Sequence, residues 1–388
     1  MLRLLETKMI IYFTQRALKR IFSELSLSKV KDSIGKKKMR KAKKEMFLVT
    51  GGAGFIGSNI VEELLRRGKK VRVLDNFSNG KKENLSFILN PYSTKQIYFD
   101  LIEGDIRNIS TCHKACKGVD YVLHQAALGS VPRSIDDPIT TNEVNITGTL
   151  NMLITARDAK VKRFIYASSS SIYGGITSED VNPMGPKTRV NSINSVNPVT
   201  SLTEITPSNP KSPYAVSKLV GEHYCKVFYT IYGLETISLR YFNIFGPRQD
   251  PNSQYAAVIP KFVKALLNGQ MATIYGDGEQ TRDFTYVDNV VQANIKACNA
   301  SKEACGQAFN IACGQNASIN QLYWELVRLL NLSSSNVAPI YAVPRPGDVR
   351  HSLADTSKAR NLLSYEPKTD FRDGLAKTVE WFKSTLHQ

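Results

Sequence analysis

From Met46 onward, short apolar runs alternate with stretches whose apolar residues recur at helical spacing. The runs Phe47–Thr50, Lys70–Leu74, Ile97–Glu103, Val119–Leu123, Arg163–Ala167 and Thr236–Arg240 read as strands. The segments Ile60–Arg67, Asn142–Ala159 and Pro213–Tyr232 read as helices between them. A strand–helix–strand rhythm repeated this way predicts an α/β protein built on a doubly wound parallel sheet. In such a sheet, ligands gather outside the carboxyl ends of the strands.

Beyond Tyr241 the rhythm loosens. Phe245-Gly246-Pro247-Arg248 reads as a loop and Gly276-Asp277-Gly278 as a turn, with helices expected at Asp288–Ala300, Ile319–Leu330 and Phe371–Leu386. These features predict a smaller, discontinuous C-terminal α/β cap. The organisation expected is a basic extension over 1–45, a sheet domain over 46–243 that a later segment near 285–312 rejoins, and a cap over 244–388. The stretch between Gly174 and Tyr214 is rich in Asn, Ser, Pro and Thr and too long for an ordinary connection.

The first strand runs into Gly51-Gly52-Ala53-Gly54-Phe55-Ile56-Gly57. Glycine serves such a turn twice: it tolerates the backbone bend and lets main-chain amides approach a diphosphate. The spacing fits both G-x-x-G-x-x-G and G-x-G-x-x-G, and the second strand ends at Asp75, about 20 residues on, where an acid can hold a ribose hydroxyl. A carboxylate there repels a 2′-phosphate, so NAD is expected rather than NADP. Gly104-Asp105-Ile106 and Gln125-Ala126-Ala127 follow two further strands and are placed to contact adenine and ribose.

Tyr214 and Lys218 lie four residues apart, one turn along one helix face. An ammonium beside a phenol favours the phenolate, and the expectation is a Tyr214 pKa lowered toward neutrality. Such a Tyr can take a proton from a sugar hydroxyl while hydride leaves for a nicotinamide. Ser168 to Ser171 follow the strand Arg163–Ala167, and one of these hydroxyls can bridge Tyr214 and the substrate oxygen.

Composition refines this picture. The net charge is +17, but Met1–Met46 carries fourteen Lys and Arg against four acids. The excess therefore belongs mainly to an appendage, and nucleic acid is not an expected partner of the folded body. The appendage has three readings: a solvated tail or helix, which is preferred; a membrane-surface or targeting helix; or residues upstream of a true start at Met39 or Met46. The six cysteines form no C-x-x-C pair; Cys112, His113 and Cys116 lack a second ligand pair, so no metal is expected and a reducing cytoplasm is.

From Met46 to its C-terminus the chain resembles the extended short-chain dehydrogenase/reductase family, with its Rossmann-type sheet. It looks most like the nucleotide-sugar 4-epimerases, and within them the bacterial UDP-N-acetylglucosamine 4-epimerases of polysaccharide synthesis. The likeness rests on Val122–Ser134, Leu239–Asn243, Arg248–Asn252, Tyr255–Pro260 and Gly347–Asp355. It implies a catalytic Ser169, with Ser170 as a substitute, Tyr214 as base and Lys218 as its partner. It implies NAD contacts from Gly51, Gly54, Phe55, Ile56, Gly57, Asp75, Asn76, Asp105, Ile106, Gln125, Ala126, Ala127, Asn145, Tyr214, Lys218 and Tyr241. UDP-sugar contacts are implied for Gly129, Ser130, Ser169, Ser170, Asn243, Gln249, Ala257, Val258, Tyr275, Arg282, Arg345, Asp348 and Ser352. Two guanidiniums suit a diphosphate, and Ser352 matches a position that gates the sugar pocket, where a serine leaves room for a 2-acetamido group. Homodimerisation through Asn142–Ala159 and Pro213–Tyr232 is implied by analogy.

Other readings compete: 4-epimerases of UDP-glucose or a UDP-N-acetylhexosaminuronate, a dehydratase or decarboxylase, or a non-catalytic NAD-binding scaffold. A dehydratase needs an Asp-Glu pair, and a decarboxylase a Glu, where this chain has Ser170, Ser171 and Ile172. A decayed scaffold typically loses the Tyr or Lys that this chain keeps. The Gly174–Tyr214 stretch and the N-terminal extension are both longer than the family usually has.

Overall fold

The computed structural model describes residues 44–89, 98–175, 201–252, 257–333, 337–344 and 350–386. The basic extension and most of the long Gly174–Tyr214 stretch lie outside these residues, as do Arg345 and Asp348. Residues from Glu45 onward form one compact unit. Among the described residues, no helix is long and apolar enough to cross a membrane.

Strands β1 (Met46–Thr50), β2 (Lys70–Asp75), β3 (Phe99–Glu103), β4 (Tyr121–His124), β5 (Arg163–Ser169) and β6 (Thr236–Tyr241) form the sheet. The chain then makes β7 (Ile244–Phe245), β8 (Thr273–Tyr275), β9 (Thr281–Arg282) and β10 (Thr285–Tyr286) before β11 (Gln307–Ile311) returns to it. The seven strands run in the order β3-β2-β1-β4-β5-β6-β11, all parallel. Strand order reverses between β1 and β4, so the crevice opens at their carboxyl ends.

Alternation along the strands feeds two cores. Val49, Val73, Leu123, Ile165 and Leu239 face the side covered by helices Phe55–Arg66 and Val287–Asn299. Leu48, Leu74, Val122, Phe164 and Tyr166 face the side covered by Ile109–Cys116, Gly148–Asp158 and Pro213–Tyr232. Pro213 sits at the first helical position and Ser212 accepts from the Ala215 amide at 3.2 Å, which starts the Tyr214 helix; Gly233, left-handed at φ 70°, ends it.

The cap pairs β7 with β10, β8 with β13 (Ile340–Ala342), and β9 with β12 (Ala317–Ser318). The helix Val258–Leu267 packs against Ile319–Leu329, with Phe262 edge-on to Tyr323.

The strand and helix expectations hold with shifts of one or two residues at most ends. The helix Ile60–Arg67 begins earlier, at Phe55. The expected helix Asn142–Ala159 differs in kind: Pro138–Asn142 is a short helix, Glu143–Thr147 a π-turn, and Gly148–Asp158 the regular part. A π-turn of this sort is a frequent mark of a functional position, and it carries Asn145.

Candidate active site

The glycine turn separates into distinct steric demands. Gly51 is left-handed at φ +66°, and a Cβ there would stand 2.8 Å from the Ala126 backbone. A Cβ on Gly57 would stand 2.1 Å from the Gly51 carbonyl oxygen, so the helix could not pack back on the turn. Gly54 meets only that carbonyl, at 3.2 Å, and otherwise faces open space. It begins the helix Phe55–Arg66 with no side-chain cap, leaving a helix amino end to meet an anion.

That end opens into a cleft of about 800 Å³ lined by Gly51, Gly54, Phe55, Ile56 and Gly57, and by Gln125, Ala127, Gly129, Tyr214, Lys218 and Tyr241. A smaller cavity of about 100 Å³ continues beside Asp75, Asn76, Asp105, Ile106 and Ala126. Asp75 is 7% exposed; its carboxylate accepts from Ala53 N at 2.9 Å and Phe77 N at 2.8 Å, and burial raises its pKa. Asn76 donates to Asp105 at 2.9 Å, and Arg107 holds the Asp105 carboxyl below its usual range. A turn free of side chains, an uncapped helix end and a buried acid at the end of β2 fit a dinucleotide such as NAD.

Three polar groups that the sequence reading passed over set this wall. His124 bridges Thr50 at 2.7 Å and Thr149 at 3.0 Å, and burial pushes its pKa down to about 3, so it is neutral. Thr50 in turn accepts from the Ala126 amide at 3.2 Å. Asn294 joins Gln125 at 3.1 Å and the Tyr241 hydroxyl at 2.8 Å.

The catalytic candidates meet at the end of β5. Tyr214 and Lys218 line the cleft, and the Tyr214 phenol is hydrogen-bonded to Ser169. Ser168 also lines the cleft, and its hydroxyl donates to Glu222, which binds Arg240 at 2.8 Å. Ser170 is half-buried at the start of a short 3-10 turn, and Ser171 Oγ is buried.

One expectation is corrected. The Tyr214 pKa is raised, not lowered, because burial outweighs the Ser169 hydrogen bond. Lys218 does not offset that burial: its ammonium donates to the Ala167 carbonyl at 2.7 Å and lies over the Tyr214 ring, 5.8 Å from its centroid, and burial pulls its pKa down to about 8. Asn145, expected to contact the cofactor, spends its amide on the Leu128 backbone, at 2.8 and 3.1 Å, and on Ser217 at 3.0 Å. It positions the loop that lines the cleft.

A second cavity, of about 490 Å³, lies in the cap, lined by Asn243, Gln249, Ala257, Val258, Tyr275 and Arg282. Ile244 and Gln249 line both cavities, so the two adjoin. Ser130 lies beside Gly129, and its hydroxyl accepts from Arg133 N at 3.2 Å to cap the helix Val131–Asp136. Ser352 is buried, and its amide donates to Thr281 O at 3.2 Å.

A parallel sheet with a glycine turn at its switch point, an acid ending β2 and a Ser/Tyr/Lys group in the crevice defines a dinucleotide-dependent enzyme of the short-chain dehydrogenase/reductase type. Residues 47–312 match the NAD dependent epimerase/dehydratase family. The chain belongs to that family. It is similar in structure to a UDP-N-acetylglucosamine 4-epimerase from Methanobrevibacter ruminantium M1, solved in complex with UDP-N-acetylmuramic acid (40% identity, TM-score 0.75, 88% of this chain and 99% of that one). A UDP-glucose 4-epimerase from Thermotoga maritima, solved with UDP-glucose, gives 35% identity and TM-score 0.75 over 88% and 99% of the two chains. The UDP-glucose 4-epimerase of Mycolicibacterium smegmatis is 35% identical, over 87% of this chain and 98% of its own.

Proposed function

We propose that this protein interconverts the C4 epimers of a UDP-hexose, with UDP-N-acetylglucosamine and UDP-N-acetylgalactosamine as the favoured pair and polysaccharide synthesis as their use. The observation that carries the reading is the position of Ser169, Tyr214 and Lys218. Tyr214 and Lys218 line the dinucleotide cleft, Ser169 is hydrogen-bonded to Tyr214, and the cleft shares Ile244 and Gln249 with the cap cavity lined by Arg282 and Asn243, which supports this reading.

When bound, NAD would supply a hydride acceptor for the sugar C4 and, once reduced, the donor that restores it. The chain's own residues do the rest. Tyr214 takes the C4 hydroxyl proton and later gives it back. Ser169, hydrogen-bonded to Tyr214, bridges phenol and substrate oxygen. Arg282 and Asn243 hold the UDP, joined in this reading by Arg345 and Asp348. The sugar turns about the diphosphate between the two hydride steps. The buried Asp75 carboxylate favours NAD over NADP by repelling a 2′-phosphate.

The deciding experiment incubates purified protein with UDP-N-acetylglucosamine, UDP-glucose and their uronates, and resolves the products by NMR. Epimers should appear without stoichiometric NADH, and denatured protein should release a dinucleotide lacking a phosphate on the adenosine ribose. Released NADP, or net reduction during turnover, would count against the cycle.

Ser352 supports the acetamido sugar, because a small side chain at that position leaves room for the 2-substituent. Ser352→Tyr is expected to lower kcat/KM for acetamido sugars roughly 5- to 150-fold relative to UDP-glucose, the equivalent of about 1–3 kcal/mol of overpacking. An unchanged ratio in a folded, NAD-bound variant would remove Ser352 from the pocket.

Two points of organisation belong to the same reading. The basic residues before Met46 form an appendage to a catalytic body of sheet domain and cap, and a chain starting at Met46 should still bind NAD and turn over. The exposed stripe Val216, Val227 and Ile231 on the Tyr214 helix suits a homodimer interface, which light scattering on the purified protein checks.

A further inference from the structure

Asp283 is completely buried. Burial pushes its pKa up to about 7, even though its carboxylate accepts from four main-chain amides. Cys313 N reaches Oδ1 at 3.0 Å, Gly314 N reaches Oδ2 at 3.0 Å, Ala354 N reaches Oδ2 at 3.3 Å, and Gln315 supplies the fourth. Burying a carboxylate this deeply is costly. What it gains is a junction between three segments that are far apart in sequence.

One of those segments carries Ser352. Residues 350–355 run as an added strand between two neighbours. On one side, Thr281 N donates to Arg350 O at 2.9 Å and Ser352 N donates to Thr281 O at 3.2 Å. On the other, Leu202 N donates to Leu353 O at 2.8 Å and Asp355 N to Leu202 O at 2.9 Å. The amides of Ser352 and Ala354 therefore point to the same side, as period-two alternation requires. Beyond Thr281, no main-chain carbonyl among the described residues meets the Ala354 amide. The Asp283 carboxylate takes that place, two residues from Ser352.

Its neighbour Arg282 lines the cap cavity. Successive residues of an extended segment point in opposite directions. One short segment thus presents a guanidinium to the cap cavity and a carboxylate to the segment bearing Ser352.

We propose that Asp283 is a positioning residue for sugar selection: by holding the Ala354 amide its carboxylate fixes the segment that carries Ser352. This rests on the epimerase reading, and on Ser352 lining the sugar pocket.

Asp283→Asn keeps the shape but sets an amide NH2 against main-chain N–H donors. Leaving a buried donor unpaired should speed exchange of the 350–355 amides roughly 10-fold, read by hydrogen–deuterium exchange. The ratio of kcat/KM for UDP-N-acetylglucosamine over UDP-glucose should shift about 10-fold, while the inhibition constant of UDP and the NAD content stay at wild-type values. Should Asp283→Asn fail to fold, Ala354→Pro makes the same test. It removes the amide that Asp283 holds, adds a ring at a buried position, and leaves the bonds to Cys313 and Gly314.

Unchanged exchange at 350–355 in the folded variant overturns the clamp. Faster exchange with an unchanged sugar ratio, or an equal loss of UDP affinity, overturns the role in selection. A wild-type protein inactive on both sugars would instead sink the epimerase reading, and the exchange result would still decide whether the carboxylate holds the segment.

Discussion

Tyr214→Phe should lower epimerase turnover by ~100- to 10,000-fold, the usual cost of removing a general base, with NAD and UDP still bound. The substitution removes one oxygen from a partly buried ring. It leaves the glycine turn, Asp75 and Arg282 intact. Burial raises the phenol pKa, so the ligand-free enzyme holds Tyr214 protonated at neutral pH. Ionisation supplies the base, and kcat/KM of the wild type should therefore rise with pH across the neutral range. Lys218, pulled down to about 8, loses its charge toward the upper end of that range, and the rise should flatten there. Tyr214→Phe should lack the rising limb. The measurement is a pH profile of both proteins, with NAD content and UDP binding by calorimetry as controls. Near-native turnover of Tyr214→Phe would strip the residue of its role. Lost NAD would mean that the ring serves binding instead.

What was legible in the sequence, and what was not, follows the range of the forces involved. Gly51, Gly54 and Gly57 announce the cleft because each demand is local: a left-handed turn, an approach of 2.1 Å, an open face. Asp75 is legible because its place is fixed by the end of a strand. Tyr214 and Lys218 share a helix face, which spacing alone sets. Their energetics were not legible. The sequence shows an ammonium four residues from a phenol, but the burial of both groups, and the bond of the ammonium to the Ala167 carbonyl of β5, are set by residues far along the chain. The hydrogen bonds of Asn145 were not legible for the same reason, since its partners Leu128 and Ser217 lie 17 and 72 residues away.

Among the elements that escaped the pattern, two are instructive. The helix Val258–Leu267 has Pro260 at its third residue, which hid its apolar face, and that face is paired by Ile319–Leu329. Strand β11 contains Gln307 and Asn310 and does not read as a buried run. Asn310 is paid for by Tyr173 and by the carbonyls of Leu202 and Asp355. One signal was available and unused. Arg240 puts a charge into the otherwise apolar strand Thr236–Tyr241, and Glu222 stands four residues beyond Lys218 on the same helix. A charge inside a buried parallel strand needs a partner, and Glu222 is that partner.

Breaking this pair is the change expected to cost the fold most. The side chains of Arg240 and Glu222 are 10% and 8% exposed, joined by bonds of 2.8 and 2.9 Å. Burial works against the Arg240 charge, but the Glu222 carboxylate more than offsets it and holds the guanidinium pKa above its usual value. Arg240 also donates to the Tyr173 hydroxyl at 2.7 Å and to Glu204 O at 3.2 Å, tying β6 to the described later part of the long Gly174–Tyr214 stretch. Glu222→Gln leaves the guanidinium buried without its countercharge and Ser168 with a weaker acceptor. Removing one partner of such a pair typically costs ~3–5 kcal/mol. The denaturant midpoint should fall accordingly with the slope unchanged, measured at fixed saturating NAD because bound ligand adds stability of its own. Replacing both partners, Glu222→Leu with Arg240→Met, should recover much of the loss, since no unpaired charge remains. A double variant as unstable as Glu222→Gln would show that the cost lies in packing around Tyr173 rather than in the stranded charge. Because Ser168 precedes Ser169, Glu222→Gln should also reduce turnover in the protein that stays folded, whereas a pair serving only stability would leave that turnover at the wild-type value.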